Sequence, residues 1–600
     1  MPMTVTDHKI GADTKGREQL MGISTNSYVY CFYCKARGLH SGGSHGHVYC
    51  PFTRPLVNPL QPYSHGPAAA RIRNNELFTD LDPAALDLRT DEEFWHDAWA
   101  AFTSNPPQSV NGVSRLPIWS ELSSVVYPWR FVLDEMHLFW ENILILLFNH
   151  WRGRFFNRRD SKARKFEKTG DVYNVDPGLW GRIGDGMESS RPDFPTAWGD
   201  ALRNLTKHCH EFKAAEWRNF GLLIAPIVLC DILPSDCYEA FCDLIEAIES
   251  ATCDIPTPDI DITIRLPLIN FLKHYEMVYY GLKWERLETC RSQIHLLAHV
   301  ADFVEWCGPM NLYSQWSCER LCGSIAQGIR NRVQANRSAS LDLLHQQQIF
   351  HIPFLARKEP GSGTMSQAES TASDLDIPAS DEHDIQSSGS YLESLIEDTM
   401  TDIRSDKNFR PLGPKPAVCL RNGPEARDPD NILLPPVALF GPVKRKIKTY
   451  IRSLIFQFLQ ERGINISRQS IPKVITAYRT AEVHDGSRVS LDELRPSNTT
   501  RSRSYAQYLW CNNRDQRRRT FYGRVLLFLS MALENSRYPE IYLALVQDFD
   551  CQQEGRLQRI VKVDRQDIIC ARDVLGLVGV VKNGINNTSY IVKQRTALIG

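Results

Sequence analysis

The sequence predicts a mixed α/β protein with a helix-rich first region, an acidic linker and a small β-rich C-terminal domain. Three observations carry this prediction. Apolar residues recur at intervals of three and four in residues 215–232 and 238–250, as they do on the buried face of a helix. A stretch rich in Ser, Thr, Asp and Glu interrupts the chain from Gly361 to Asp406. Beyond it, short runs of Val, Ile, Tyr and Phe are bounded by Gly, Asn and Asp, which is typical of strands.

Length and composition set the class of protein. The chain has 600 residues, a net charge of -1, 42% apolar and 10% aromatic residues, which predicts more than one folded unit and excludes a fibrous or wholly disordered protein. The most apolar run, Leu138–Leu147, is too short for a membrane-spanning helix and contains Glu141 and Asn142. The first residues lack the apolar core of a secretory signal, so the 16 cysteines are expected as reduced thiols or metal ligands in the cytoplasm or nucleus.

The domain boundaries follow from these shifts in composition. The first region is expected to cover residues 1–345. The linker, 357–436, begins acidic, where too little apolar surface is present to offset the chain entropy, and becomes Pro-rich toward its end. Residues 437–600 are expected to form the C-terminal domain, which should open with a basic amphipathic helix from Lys444 to Arg462 and continue as short antiparallel strands. Lys444–Lys448 could also serve as a nuclear import signal.

A cluster of cysteines and histidines near the start of the chain has the strongest metal-ligand spacing. Cys31 and Cys34 are separated by two residues, which places both sulfurs on one side of a tight turn. The preferred ligand set is Cys31, Cys34, His45 and Cys50, with His47 as an equal substitute for His45. Four protein ligands would make this a structural Zn²⁺ site. The alternative is a His-rich turn with reduced cysteines.

A second pair of histidines, His295 and His299, could share one face of a helix. Leu296 stands where a zinc protease needs its glutamate base, so the pair is interpreted as packed or hydrogen-bonded histidines. The sequence also contains no P-loop, no G-x-S-x-G elbow and no dinucleotide-binding fingerprint after a strand, which excludes the common enzymes that depend on them.

Three further stretches carry charged residues in patterns that suit nucleic-acid chemistry. Asp134 and His137 can converge on one helix face, although an N-cap aspartate before an ordinary amphipathic helix explains the same spacing. Glu319, followed directly by Arg320, is either a catalytic group or part of a structural salt bridge. Cations interleaved with phenylalanines could neutralise phosphates, with a solvated basic face as the alternative; they are Arg152, Arg154, Arg158, Arg159, Lys162, Arg164 and Lys165.

Together these stretches resemble the transposases of CACTA (En/Spm-like) DNA transposons, in the form common in fungal genomes. Similar segments follow in the family's order over roughly residues 10–335: GADTKGREQLMGISTNSYVYCFYC, DEMHLFWENILILLFNHWRGRFF, HEFKAAEWRNFGLLIAPIVLCDILP and IHLLAHVADFVEWCGPMNLYSQWSCERLCGSI. The resemblance implies an RNase H-like core with a large helical insertion at about 138–318. It also implies acidic residues that hold two divalent metal ions, Mg²⁺ or Mn²⁺, for DNA cleavage and strand transfer.

The resemblance assigns roles to individual residues as well. Asp13, ahead of Asp7, best fits the second catalytic aspartate, and Glu319 fits the final glutamate. Asp134 and His137 fall on a motif beside the active centre. In the family, the first catalytic aspartate lies on a strand far upstream of the second one, and only about a dozen residues precede Asp13 here. The core is therefore expected to be incomplete, and the protein to be a truncated or domesticated transposase that is inactive alone.

Two functions remain open at this point. The first is a nuclear, transposase-derived protein that binds duplex DNA such as transposon ends through residues 152–168 and 514–519, and that could form a homo-oligomer. The second is a non-enzymatic chromatin or protein-interaction module, in which the zinc turn and the C-terminal domain recruit partners. An active strand-transfer enzyme would require an aspartate from another chain or exon. Salt-dependent binding to DNA would favour the first function.

Overall fold

The structure is a computed structural model of the chain. It describes residues 10–593 apart from these gaps: 12, 42–46, 58–73, 106–107, 122–124, 157–165, 167–168, 196–197, 200–201, 254–258, 330–332, 356–417, 420–437, 484–486, 491–503, 512–517 and 534–539. The predicted acidic and Pro-rich linker, 357–436, lies outside the described residues except for Val418–Cys419.

Helices dominate the chain up to Leu355. They are α1 (Thr14–Met21), α2 (Asp91–Thr103), α3 (Leu144–Trp151), α4 (Pro177–Ser190), α5 (Leu205–His208), α6 (Ala214–Asn219), α7 (Ala225–Leu229), α8 (Ser235–Ala251), α9 (Leu266–Tyr275), α10 (Ser292–Leu296), α11 (Val300–Cys307), α12 (Trp316–Gly328) and α13 (Ala335–Leu355), with α14 (Thr449–Glu461) further on. The segment at 138–318, expected as a helical insertion, contains α3 to α11.

Wider helical turns and 3-10 turns extend or join several of these helices. The wider, π-type turns cover Met136–Ile143, Phe220–Ile224, Asp261–Arg265 and Glu276–Tyr280. The 3-10 turns cover Asn74–Leu77, Ile118–Glu121, Arg191–Asp193, Cys209–Glu211, Trp284–Thr289, Leu297–His299, Met310–Tyr313, Arg468–Ser470 and Ala571–Asp573. None of the helices in the described part of the chain combines the length and apolar character that crossing a bilayer requires.

The strands of the first region are short. They are β1 (Ile10–Gly11), β2 (Leu39–His40), β3 (Val48–Tyr49) and β4 (Phe131–Val132). β1 and β4 pair in parallel, with Ile10 opposite Phe131 and Gly11 opposite Val132, and β2 pairs antiparallel with β3. Because these strands form separate two-stranded sheets, an RNase H-like core stays a prediction.

The C-terminal region forms an antiparallel sheet in which 11 strands are described. The strands are β5 (Val418–Cys419), β6 (Ala438–Lys446), β7 (Val474–Glu482), β8 (Arg488–Ser490), β9 (Tyr505–Cys511), β10 (Arg518–Met531), β11 (Ile541–Glu554), β12 (Leu557–Cys570), β13 (Val574–Leu577), β14 (Gly579–Lys582) and β15 (Ser589–Val592). Their order is β14-β15-β12-β11-β10-β7-β6-β5; β8 joins β7, and β9 lies between β10 and β13. Register shifts in the β10–β11 and β11–β12 pairs mark bulges, which bend the sheet.

The mixed α/β class and the β-rich C-terminal region are thus confirmed. The basic helix differs from its prediction at one end, because it begins at Thr449 and not at Lys444. Lys444, Arg445 and Lys446 instead continue β6, where they pair with residues 474–476 of β7.

By compactness the chain divides into a larger unit, residues 1–317 with 417–600, and a smaller one, residues 318–416. In the smaller unit the described residues belong mainly to α12 and α13. The larger unit has a helical core around Trp140, Trp151 and Trp180, and a second core between α14 and the sheet. The C-terminal region, predicted as a separate domain, therefore shares one compact unit with the helices of the first region.

The end of the sheet packs directly against α4. The backbone N–H of Lys582 donates to Ser190 Oγ at 2.8 Å, and the side-chain amide of Asn583 donates to the carbonyl of Ile227 at 3.3 Å. Gly186 and Gly584 lie where the two backbones meet. A Cβ on Gly186 would be 2.6 Å from the nitrogen of Gly584. Only glycine allows this approach, because the obstructing atom is backbone and cannot turn away.

Replacing Gly186 by alanine is expected to lower the free energy of unfolding by about 1–3 kcal/mol, because the added methyl group forces the sheet away from α4. Gly181→Ala, on the same helix, is the matched control. A Cβ at Gly181 would meet no neighbouring atom within 4 Å, so this substitution should leave the stability unchanged or raise it. Urea denaturation of both variants measures the difference. Equal effects at the two positions would contradict the close packing.

Candidate metal centre

Four potential metal ligands from two distant parts of the chain meet in the helical core. Cys31 and Cys34 lie in the turn after α1, and His295 and His299 lie in α10 and in the 3-10 turn that leads to α11. All four are buried, and their ligand atoms lie within 4.8 Å of one another. The Sγ of Cys31 is 3.4 Å from Nε2 of His299, and the Sγ of Cys34 is 3.2 Å from Nε2 of His295.

Local hydrogen bonds hold the cysteine turn in place. The guanidinium Nε of Arg89, a residue only 2% exposed, donates to the carbonyls of Cys31 at 3.2 Å and of Cys34 at 3.1 Å. The backbone N–H of Tyr33 donates to the Sγ of Cys31 at 3.4 Å. Both sulfurs are therefore directed to one side of the turn, toward the two histidines.

Each histidine is oriented by a group on its other ring nitrogen. The hydroxyl of Tyr30 lies 2.9 Å from Nδ1 of His295, and the carboxylate of Asp302 lies 3.5 Å from Nδ1 of His299. Nε2 of each ring faces the sulfurs, while Nδ1 of His295 is bonded to Tyr30 and Nδ1 of His299 faces the Asp302 carboxylate with no hydrogen bond among the described residues. Such outer partners typically fix the ring orientation of histidines that bind metal ions.

Burial and neighbouring charges shift the pKa values of Cys31, Cys34 and His299. Burial opposes ionisation of the Cys31 thiol, but a hydrogen bond from Cys34 and the charges of His299 and His295 hold its pKa well below its ordinary value. Burial also opposes protonation of His299, yet the Cys31 thiolate and Asp302 raise its pKa to about 9. Burial, followed by the neighbouring Cys31, raises the pKa of the Cys34 thiol. Without a metal ion the pocket thus keeps protons where a divalent cation would bind.

This donor set fits a structural metal ion such as zinc. Two sulfurs and two imidazole nitrogens are the ligands of closed, tetrahedral Zn²⁺ sites, in which no position remains for a substrate. When bound, the ion would join the segment after α1 to the segment before α11.

The structure corrects the ligand set that the sequence suggested. Cys50 is buried next to this group but is not one of the four: its backbone N–H donates to the carbonyl of Cys290 at 2.6 Å, and its thiol lies beside the Tyr30 hydroxyl. His47 is exposed, and His45 lies outside the described residues. The two histidines interpreted as a packed pair are the partners of Cys31 and Cys34. The signal in the sequence is the four-residue spacing of the histidines, because a Cys-x-x-Cys pair that lacks two ligands is completed by two such histidines.

Two of the acidic residues to which the resemblance assigns roles, Asp13 and Asp134, follow the paired strands β1 and β4. Asp13 and Asp134 each stand two residues beyond the paired ends Gly11 and Val132, so they occupy equivalent positions at the carboxyl ends of adjacent parallel strands. Asp13 is exposed and caps α1 by accepting from the N–H of Gly16 at 2.6 Å. The pairing therefore brings Asp13 and Asp134 to the same edge.

Asp134, by contrast, is only 1% exposed and fully engaged. One carboxylate oxygen accepts from the backbone N–H of His137 at 2.9 Å and lies 2.7 Å from its Nδ1, and the other accepts from the N–H of Gln315 at 2.7 Å. Asp134 thus caps the helix and orients His137, and its role as a ligand of Mg²⁺ or Mn²⁺ stays a prediction. No group of three carboxylates gathers in the described part of the chain.

The other predicted site residues divide between the two units. Glu319 lies on α12 in the smaller unit, where its side chain is exposed. Arg152 and Arg154 lie at and beyond the end of α3, in the larger unit. The remaining predicted cations, Arg158, Arg159, Lys162, Arg164 and Lys165, lie outside the described residues.

Arg152 and Arg154 line a surface pocket beside α3. The side chain of Arg152 donates to Oδ1 of Asn149 at 2.7 and 3.0 Å, and its guanidinium lies 5.1 Å above the Phe148 ring. Arg291 and Asn142 line the same pocket, together with Glu141, Ile145, Leu146, Asn149 and Phe155. Glu141 connects this pocket to His137. Its carboxylate lines the pocket and lies 3.8 Å from Nε2 of His137.

Comparison of the chain with family models, with curated proteins and with solved structures finds no match. The resemblance to CACTA transposases therefore stays a prediction from the motifs. Any function must be inferred from the geometry of the sites.

Glu135, next to Asp134, is a buried carboxyl whose side chain is bonded to the first residue of α12. It is 3% exposed, and its Oε1 accepts from the indole N–H of Trp316 at 2.6 Å. Burial raises the pKa of Glu135, although Arg218 and the Trp316 hydrogen bond favour the carboxylate. A raised pKa in the folded state contributes stability that is present at low pH and is lost as the pH rises above about 4.5 through the folded value.

In Glu135→Gln the unfolding free energy is therefore expected to decline less with rising pH than in wild type, by about 1.4 kcal/mol in total for each unit by which the pKa of Glu135 is raised. Urea denaturation at a series of pH values between about 4 and 8 measures this slope. Glu92→Gln, at an exposed carboxylate in α2, is the comparison variant measured over the same pH values. A slope equally steep in wild type and Glu135→Gln would show that folding does not shift the pKa of this carboxyl.

Proposed function

We propose that the chain is a transposase-derived protein of the CACTA type that acts in the nucleus by binding duplex DNA. The observation that supports this proposal is that the segments carrying the resemblance meet in space. The Cys31–Cys34 turn of the first segment reaches His295 and His299 of the last. Asp134 of the second segment accepts a hydrogen bond from Gln315 of the last.

The metal centre would hold this convergence together. A bound Zn²⁺ would supply a rigid link between the first and last segments, and it would take no part in chemistry on DNA because all four positions are occupied by protein ligands. The chain's own residues would then bind the nucleic acid.

The pocket beside α3 has the composition of a phosphate-binding surface. Arg152, Arg154 and Arg291 contribute three guanidinium groups, against the single carboxylate of Glu141 among the lining residues. The guanidinium of Arg291 lies 5.1 Å above the ring of Phe155. Guanidinium groups can bond two phosphate oxygens at once, and the buried Phe155 ring, which stacks on His150, supports the guanidinium of Arg291. The cation-rich sequence from Arg158 to Lys165 continues directly from this pocket along the chain.

A second cationic surface lies on the C-terminal sheet. Lys444, Arg445 and Lys446 on β6 are all exposed, as are Lys448 after it and Lys473 before β7. Charged side chains on a strand near a sheet edge also prevent pairing with other proteins, so charge alone does not assign them to DNA. Their contribution has to be measured.

Binding of the full chain to a labelled DNA duplex across a range of salt concentrations tests the proposal. We expect the logarithm of the association constant to fall linearly with the logarithm of salt, with a slope of about -0.9 for each phosphate neutralised. Replacing Arg158, Arg159, Lys162, Arg164 and Lys165 by glutamine should weaken binding and make the slope shallower. The same test on Lys444, Arg445 and Lys446 measures the second surface.

Lys207→Gln with Lys213→Gln is the matched control, since both lysines are exposed on the helical part outside either surface. Binding that is insensitive to salt, or that survives both sets of substitutions, would contradict DNA binding. That result would favour a module that recruits chromatin or other proteins.

A further inference from the structure

A second group of potential metal ligands lies where α8 and α9 pack together, apart from the Cys2His2 centre. Asp236 and Cys237 are in the first turn of α8, and His274 is in the last turn of α9. A carboxylate oxygen of Asp236, the sulfur of Cys237 and an imidazole nitrogen of His274 all lie within 4.8 Å of one another. Three different donor types from two helices thus point to one place.

The group lies at the edge of the core, with one side toward solvent. Cys237 is 2% exposed, His274 is partly buried and Asp236 is exposed. The Nε2 of His274 is itself buried and has no hydrogen-bond partner in the described part of the chain. A buried polar atom left without a partner costs about 1–3 kcal/mol. This ring therefore has a nitrogen available for a ligand that the protein does not supply.

The donor types select the class of ion. One oxygen, one sulfur and one nitrogen suit Zn²⁺ or Co²⁺, whereas Mg²⁺ and Ca²⁺ take oxygen ligands almost alone. Three protein ligands fill three of the four tetrahedral positions. The fourth would face the exposed side of the group, where Asp236 meets solvent.

We propose that Asp236, Cys237 and His274 form a zinc site whose fourth position is open to water. On binding, the thiol of Cys237 gives its proton to solvent, and the ion is held by the thiolate, the neutral imidazole and the carboxylate. The site differs in kind from the closed Cys2His2 centre, because an open position allows water or another ligand to reach the metal. It goes beyond DNA binding and does not depend on it.

The full chain, stripped of metal by a chelator and loaded with Zn²⁺ alone, tests this site. We expect about two zinc ions per wild-type chain and about one in His274→Ala. With Co²⁺ as the probe, the thiolate-to-metal absorption should fall by about one third in Cys237→Ser, because Cys237 supplies one of three metal-bound sulfurs, the others being Cys31 and Cys34. A chelator should also remove this ion before the one in the closed centre.

Cys242→Ser is the matched control, since Cys242 is a buried cysteine on the same helix outside the group, and it should keep both ions. Asp236→Asn covers the case in which His274→Ala fails to fold, because Asp236 is exposed; it should fold normally and bind the second ion at least about ten-fold more weakly. One zinc ion per wild-type chain would overturn the proposal. So would loss of the second ion in Cys242→Ser, or unchanged affinity in Asp236→Asn.

Discussion

His299→Ala is expected to remove one zinc ion from the protein and to lower its free energy of unfolding by at least about 4 kcal/mol at saturating zinc. The substitution deletes one of four ligands in a fully buried site and leaves the two thiols and His295 without a cation. The same loss should follow treatment of the wild type with a strong chelator. Zinc content by mass spectrometry and urea denaturation with and without added zinc measure the two effects.

Cys50→Ser is the decisive comparison for this result. Cys50 is as deeply buried as the ligands and follows the Cys31–Cys34 turn in sequence, but its thiol lies beside Tyr30, outside the group of four. We expect Cys50→Ser to keep the zinc ion. If Cys50→Ser lost zinc and His299→Ala kept it, the ligand set suggested by spacing alone would be the correct one.

The second large effect is expected for Asp134→Ala, which should destabilise the protein by about 3–5 kcal/mol. Removal of the carboxylate takes the acceptor from three partly buried groups: the backbone and ring nitrogens of His137 and the backbone N–H of Gln315. Asp134→Asn should cost less, because the amide oxygen still accepts one or two of these bonds. Urea denaturation measures both variants.

Asp13→Asn is the control for this series. Asp13 occupies the equivalent position beyond β1, but it is exposed and its carboxylate accepts only from Gly16 among the described bonds, so asparagine should replace it as an N-cap at little cost. If Asp134→Ala were as mild as Asp13→Asn, the hydrogen bonds to Asp134 would not stabilise the fold. The role of Asp134 as the group that orients His137 would then be wrong.

The sequence predicts one half of the metal centre and not the other, because one half is local in the chain and the other is distant. The Cys31–Cys34 spacing determines a turn that directs both sulfurs to one side, and that half of the site was predicted. The other half depends on contacts across 268 residues, between Cys31 and His299, and no local pattern encodes such a pairing.

Other differences have similar causes. The β-rich character of the C-terminal region is predictable because the pattern of apolar residues in a strand is a local property of the sequence. The packing of this region on α4 depends on the close approach of Gly186 and Gly584, and nothing in the sequence distinguishes these two glycines from others. Lys444–Lys446 resembled the start of a helix because the following residues are helical. Pairing with β7 decides their conformation instead.

The long separation between the two halves of the Cys2His2 centre also sets an order of events during synthesis. At about 5–20 residues per second, the 268 residues between Cys31 and His299 take on the order of 13 to 50 seconds to translate. Throughout that interval the paired thiols exist without their histidine partners. The newly made chain therefore presents an unliganded cysteine pair to cellular oxidants and to competing metal ions, and it depends on a late-synthesised helix to withdraw that pair from solvent.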